Sequence, residues 1–166
     1  MHDAPRYNPL RFSAFFENGS SARPLVAGTV ARGQLNEHTL LYQGKVNGQP
    51  ALTFPFPIDK AELDRGQERF NIYCSPCHGR TGEGNGMVVQ RGFRQAASYH
   101  IDRLRNAPVG YLFDVITNGF GAMPDYKAQI PPQDRWRIIA YVRALQLSHH
   151  ATTADVPASE LGKLGK

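Results

Sequence analysis

Cys74-Ser75-Pro76-Cys77-His78 concentrates more potential chemistry than any other stretch of this 166-residue chain. The C-x-x-C-H spacing lets two thiols close thioether bonds onto the vinyl groups of a haem while the following histidine reaches the iron. Cys74 and Cys77 are the only cysteines, so the pair is read as dedicated to one covalently attached haem c, with His78 as an axial ligand. A thioredoxin-type C-x-x-C would need a βαβ setting, whereas the residues before Cys74 pattern as a helix. A zinc site would need two more ligands at a recognised spacing. His38, His100, His149 and His150 are scattered, and there is no second C-x-x-C.

The iron then needs a sixth ligand. Met123, in Gly121-Ala122-Met123-Pro124, lies far enough downstream for an intervening helix and loops to carry the chain to the opposite haem face, and it is the expected ligand. Met87 would have to cross the ring edge within one short loop, so packing is its expected role. His100 is the rival, although its position suits a propionate partner or a surface residue. An open or water-ligated iron is the remaining reading.

Several elements must position these residues. Asp59 is a candidate N-cap with Glu62 three residues on, after which Leu63, Gly66, Phe70 and Tyr73 share one helical face. This pattern predicts a helix over 60–73 that delivers the chain into Cys74. The glycine-rich stretch from Gly79 to Gly86 lacks the Gly-Lys-Ser/Thr ending of a phosphate loop and is expected to fold round a haem edge. Two short helices are expected near 99–105 and 108–118, the second stopped by Gly119 as a left-handed cap. From Pro132 to about Leu147, Trp136, Ile139, Val142 and Leu145 form an apolar stripe, with Arg135, Arg137 and Arg143 largely off it. The first and last of these helices are expected to cross at Gly66, with Phe70 meeting Trp136 or Tyr141. Phe70, Leu112, Ile116, Tyr126 and Trp136 would supply an apolar shell for the cofactor.

Composition bounds the rest. The formal net charge of +5 is spread thinly, and only Arg91, Arg94, Arg103 and Arg105 gather it, opposed locally by Asp102. With few aromatics among them, that cluster falls short of a nucleic-acid surface. It suits haem propionates, an acidic redox partner or simply a solvated face instead. A mean hydropathy of −0.43 and the lack of any apolar run approaching about 18 residues exclude a membrane span. The start, Met1-His2-Asp3-Ala4-Pro5-Arg6, opens no secretory apolar region. Because haem c is normally attached outside the cytoplasmic membrane, an export signal upstream of Met1 is expected.

Three segments separate. Residues 1–57 are rich in proline and glycine, show little helical periodicity and are expected to be an extended docking segment with Phe12, Phe15 and Phe16 as anchors. Within them a hairpin is expected between 39–42 and 50–54, turning at Asn47-Gly48. Residues 58–148 form the haem domain and 149–166 a flexible tail.

The helix carrying Gly66 and Phe70 into C-x-x-C-H, the later Met123-Pro124 and the terminal helix with Trp136 and Tyr141 together resemble a class I monohaem cytochrome c over about residues 58–148. That resemblance implies a mainly α fold, helices wrapped round one covalent haem, preceded here by the long extended segment. A nearer likeness lies in residues 23–33, Ser98-Tyr99-His100, Ile116-Thr117-Asn118-Gly119 and Asp134-Arg135-Trp136. These are similar to the monohaem cytochrome c subunit of the bacterial alternative complex III, a membrane quinol:acceptor oxidoreductase. The likeness implies an electron-transfer subunit that is not an enzyme by itself. It implies multihaem and membrane subunits as partners, and electrons passed to a terminal oxidase or soluble carrier. It also implies a place on the periplasmic side of the membrane, held indirectly or by an upstream lipid anchor. A haem c peroxidase or gas-binding cytochrome with an open distal site, or a cytochrome subunit of another respiratory complex, are the alternative readings.

Overall fold

The computed structural model describes residues 4–164. Met1 to Asp3, part of the start that opens no secretory region, and the last two residues of the tail lie outside the described residues. The chain divides into two compact units, Met1–Leu35 and Asn36–Lys166.

The first unit is held by its own backbone rather than merely extended. Phe12 and Ser20 form an isolated antiparallel bridge, and Ser13 N–H donates to the Gly19 carbonyl at 2.9 Å while Ser21 N–H donates to that of Arg11 at 3.0 Å. The Arg23 guanidinium covers the Phe16 ring at 3.9 Å. Phe12 and Phe15 remain exposed, at 75% and 85%.

The second unit is helical. Its elements are α1 (Thr39–Gln43), the two-stranded hairpin β1 (Lys45–Val46) and β2 (Gln49–Pro50), α2 (Lys60–Tyr73), α3 (Ser75–His78), α4 (Met87–Gln90), α5 (Asp102–Arg105), α6 (Val109–Asn118) and α7 (Pro132–Ser148). The Asp59 carboxylate accepts from Glu62 N–H at 2.9 Å and starts α2 as its sequence predicts. Glu62 does not complete a capping box. Its carboxylate is bonded instead by Arg137 of α7.

The long helices cross where α2 has no side chain. Gly66 is buried, and Phe70 meets Tyr141 with ring centroids 5.3 Å apart. Trp136, fully buried, lies on Phe113 at 4.6 Å and is met edge-on by Phe54 at 5.9 Å. Phe70, Phe113, Trp136, Ile138 and Ile139 form the centre of the core.

Three expectations are corrected. Residues 39–42 form helix α1 rather than a strand, because His38 Nδ1 accepts from Leu41 N–H at 3.1 Å and Gly44, at φ 70° and ψ 23°, closes the turn. That single turn hands Leu40 and Leu41 to the core. The hairpin itself does turn at Asn47-Gly48, both at positive φ as a two-residue connection of this kind requires. Residues 36–57 are thus built into the second unit: the Leu41 carbonyl accepts from Trp136 Nε1 at 2.9 Å, and Ala51 is 1% exposed.

Arg135 is the second correction. It is buried rather than set off the stripe, its guanidinium donating to the Ile130 carbonyl and to Thr117 Oγ1 and lying over the Phe113 ring. Burial lowers its pKa from the usual arginine value. The third is Gly119. It ends α6 at φ 78° and ψ 169°, positive in φ but not left-handed helical.

Candidate cofactor site

Helix α2 is capped at its C-terminus by Cys74, whose N–H still donates to the Phe70 carbonyl at 2.9 Å. The next turn, α3, begins at once with Pro76 near its start, so Cys74, Cys77 and His78 lie on one short helical segment directly attached to a long one. The glycine-rich loop then folds back over this turn. Gly84 N–H donates to the His78 carbonyl at 2.8 Å and Gly86 N–H to that of Cys77 at 2.9 Å. At Gly86 a Cβ would sit 2.3 Å from the Pro76 carbonyl oxygen, so a larger residue would push the loop off the motif.

His78 is 9% exposed. Its Nδ1 lies 3.1 Å from the Ala97 carbonyl. A carbonyl can only accept, so Nδ1 carries the proton and the lone pair falls on Nε2, the arrangement a metal-ligating imidazole needs. Burial favours the neutral ring and pushes the His78 pKa down, against the weaker opposing effect of the Ala97 bond. The Tyr99 ring stacks on His78 with centroids 4.5 Å apart and planes 19° apart.

Met123 arrives from the other side of the sequence. After α6, Phe120 and Met123 exchange two backbone hydrogen bonds, each 3.0 Å, closing a tight loop. Gly119 is needed there twice over: its φ is positive, and a Cβ would sit 2.7 Å from the Met123 carbonyl oxygen.

Cys74, Cys77, His78 and Met123 all line one cavity of about 330 Å³. Its walls include Leu112, Ile116 and Tyr126 as the sequence predicts, whereas Phe70 and Trp136 stand behind it in the core. The size falls within the range of about 300–1,000 Å³ for cofactor pockets. Two thiols, an imidazole and a thioether facing apolar walls are the donor set that a covalent haem c requires. The residues present therefore fit the group.

The remaining candidates sort by the same cavity. Arg94 and Arg103 line it, and Arg91 and Arg105 do not. Arg105 faces Asp102 at 3.5 Å. His100 is not part of the lining. Its Nε2 lies 2.8 Å from the Thr81 carbonyl, and its ring stacks on His149 at 3.7 Å. Met87, expected to pack, is instead 55% exposed on α4.

Other chemistries fit less well. Cys74 and Cys77 are unpaired, and burial, with a smaller contribution from Cys77, pushes the Cys74 thiol up to about 12. Redox-active thiols need the reverse shift. Among the described residues no group of three histidine, cysteine or acidic side chains could hold a metal ion, and no helix is long and apolar enough to cross a membrane.

Sequence reasoning missed Ala97 and Tyr99. The glycines at 82 and 84 were the available signal, since each leaves room for the segment that carries those two residues.

Residues 61–142 match the family model described as "Cytochrome C oxidase, cbb3-type, subunit III". A comparison with curated proteins finds no match. Among solved structures, the chain is similar to cytochrome cL of Methylophaga aminisulfidivorans, at 19% identity over 81% of this chain and 91% of that one, with a TM-score of 0.49. Cytochrome cL of Hyphomicrobium denitrificans gives 24% identity over 63% and 59% of the two chains, with a TM-score of 0.42. The reducing HAO-like protein complex of Kuenenia stuttgartiensis gives 17% identity over 64% and 54%, with a TM-score of 0.49. Residues 61–142 of this chain are a cytochrome c domain, and the cofactor it carries is covalently bound haem c.

Proposed function

We propose that this chain is a one-electron carrier in which Cys74 and Cys77 would hold haem c by thioether bonds and His78 and Met123 would ligate its iron. The observation that carries the reading is the meeting of these four side chains in one largely apolar cavity. When bound, the haem supplies one-electron iron chemistry. The chain's own residues hold the proton of His78 on Nδ1, keep the imidazole neutral and exclude water with Leu112, Ile116 and Tyr126. A neutral imidazole and a thioether ligate ferrous and ferric iron without a proton change, and an apolar shell favours the reduced state.

At the level of assembly, we propose a periplasm-facing subunit of a membrane quinol:acceptor oxidoreductase of the alternative complex III kind, which passes electrons to a terminal oxidase or soluble carrier. The motifs at residues 23–33, 98–100, 116–119 and 134–136 support this. The exposed Phe12 and Phe15 support a docking role for the N-terminal segment. A second reading, a subunit of an oxidase complex, is favoured by the description of the matching family model.

The test is spectroscopic, on holoprotein made in a strain that matures c-type haem. A pyridine haemochrome of two thioether bonds and a reduced protein that does not bind carbon monoxide at neutral pH are expected. Rapid carbon monoxide binding by the wild type would favour the open-site reading. Haem that leaves the polypeptide on acid acetone extraction would overturn the covalent attachment. Co-purification of the tagged chain with either a quinol-oxidising complex or an oxidase separates the two assemblies.

A further inference from the structure

The glycine-rich loop after the haem motif is shaped by what it packs against. Gly82 sits at φ +83°, and a Cβ there would lie 2.9 Å from Cδ2 of Tyr99. Gly84 also sits at φ +83°, and a Cβ there would lie 2.1 Å from the Ala96 carbonyl oxygen. The loop thus leaves room for residues 96–99, which press two different groups onto His78: the Ala97 carbonyl on Nδ1 at 3.1 Å and the Tyr99 ring on the imidazole face at 4.5 Å.

A single hydrogen bond to Nδ1 fixes the direction in which an imidazole points but leaves rotation about that direction soft, since χ2 of histidine has broad wells. A parallel ring on one face removes that freedom. The Tyr99 ring can do so because the backbone of residue 99 is held at both its N–H and its carbonyl and the ring itself packs on Phe70. Tyr99 N–H donates to the Gly82 carbonyl at 2.8 Å, Gln146 Nε2 of α7 donates to the Tyr99 carbonyl at 2.7 Å, and the Phe70 ring of α2 lies 6.1 Å away. The residue whose ring faces His78 is therefore tied to both long helices and to the loop.

We propose that Tyr99 is a positioning residue that sets the rotational plane of the His78 imidazole above the haem, through its ring face and not its hydroxyl. The proposal rests on the reading that His78 is an axial ligand. It goes beyond that reading in naming what orients the ligand plane, which governs how the iron d orbitals mix with the imidazole and so how unpaired spin is distributed round the haem.

The readout is the proton NMR spectrum of the cyanide adduct of the oxidised holoprotein. Cyanide is cylindrically symmetric, so the order and spread of the hyperfine-shifted haem methyl resonances then report the imidazole plane alone. Tyr99→Phe is expected to keep the wild-type order and spread. Tyr99→Leu, which removes the flat face, is expected to reorder the methyls or narrow their spread. Gly82→Ala, which displaces the ring without altering it, is expected to do the same, and it carries the test if Tyr99→Leu does not accumulate as holoprotein. An unchanged methyl pattern in both Tyr99→Leu and Gly82→Ala overturns the proposal, as does a change in Tyr99→Phe equal to that in Tyr99→Leu. The wild-type spectrum separates the two levels of argument: hyperfine-shifted imidazole protons that vanish in His78→Gly support the ligand itself, and their absence overturns the ligand reading whatever Tyr99 does.

Discussion

The backbone of Arg137 in α7 occupies the space where Gly66 of α2 would carry a side chain: a Cβ at residue 66 would lie 2.1 Å from the Arg137 carbonyl oxygen and 2.7 Å from its carbonyl carbon. A contact with backbone cannot be relieved by rotating a side chain. The two long helices are close because residue 66 is glycine, and α2 delivers the haem motif from that crossing.

Gly66→Ala is therefore expected to push the helices apart and to cost about 3 kcal/mol of holoprotein stability, at the upper end for overpacking. Propensity alone would make alanine the better helix residue by about 1 kcal/mol. Urea unfolding decides between the two signs, and a stabilised variant would show that the crossing is looser than described.

Trp136 does two separable things. Its ring fills the core against Phe113 and Phe54, and its Nε1–H satisfies the Leu41 carbonyl at 2.9 Å. Trp136→Ala is expected to cost about 3–5 kcal/mol. Trp136→Phe keeps most of the volume but orphans the carbonyl, and about 1–3 kcal/mol is expected. Equal losses in the two variants would mean that the bond to α1 outweighs the packing.

Asp134 gives the protein an acid-sensitive joint. Its side chain is 7% exposed and bonds Arg65 at 3.0 Å and Arg137 at 2.9 Å, with Arg69 at 3.3 Å. Burial by itself raises the pKa, but the bonds from Arg65 and Arg137 outweigh it and hold the carboxyl below its usual value. The unfolded chain then takes up this proton at a higher pH than the folded one. The contribution is fully present above the ordinary carboxylate pKa and is lost as pH falls through the lower folded value. Asp134→Asn is expected to cost about 2 kcal/mol at neutral pH and progressively less in acid. Parallel curves of urea midpoint against pH for the two proteins would exclude this account.

Met123→Ala should remove the sulfur-to-iron charge-transfer band, lower the reduction potential and let the ferrous protein bind carbon monoxide. Met87→Ala, with Met87 exposed on α4, should change none of these. The reverse result would transfer the ligand assignment to Met87.

Removal of residues 1–35 tests the docking role without cutting into the haem domain. Deletion as far as residue 50 would also take away the Leu41 carbonyl that Trp136 uses, so it could not separate docking from folding. The shorter deletion is expected to leave the haem spectrum and melting temperature unchanged while abolishing co-purification with the proposed membrane complex. Retained co-purification would place the docking surface elsewhere.

The features legible in the sequence are those whose cause is local. C-x-x-C-H names its cofactor through spacing alone, Asp59 caps α2 from three residues away, and the period of Leu63, Gly66, Phe70 and Tyr73 marks a buried face. Asn47-Gly48 likewise carries its own turn. Tertiary structure decided what depends on groups distant along the chain. Residues 39–42 form a short apolar run equally compatible with strand and helix, and the need of Trp136 for the Leu41 carbonyl belongs to the helical outcome. Arg135 lies at a position that charge alone would send to solvent, and it is buried because Ile130, Thr117 and Phe113 arrive with an acceptor carbonyl, a hydroxyl and a ring face. The glycines at 82 and 84 show that something approaches closely but not what. Only the packed chain brings Ala97 and Tyr99 onto His78, because a hydrogen-bond acceptor and a stacking plane are set by position in space, which no interval along the sequence encodes.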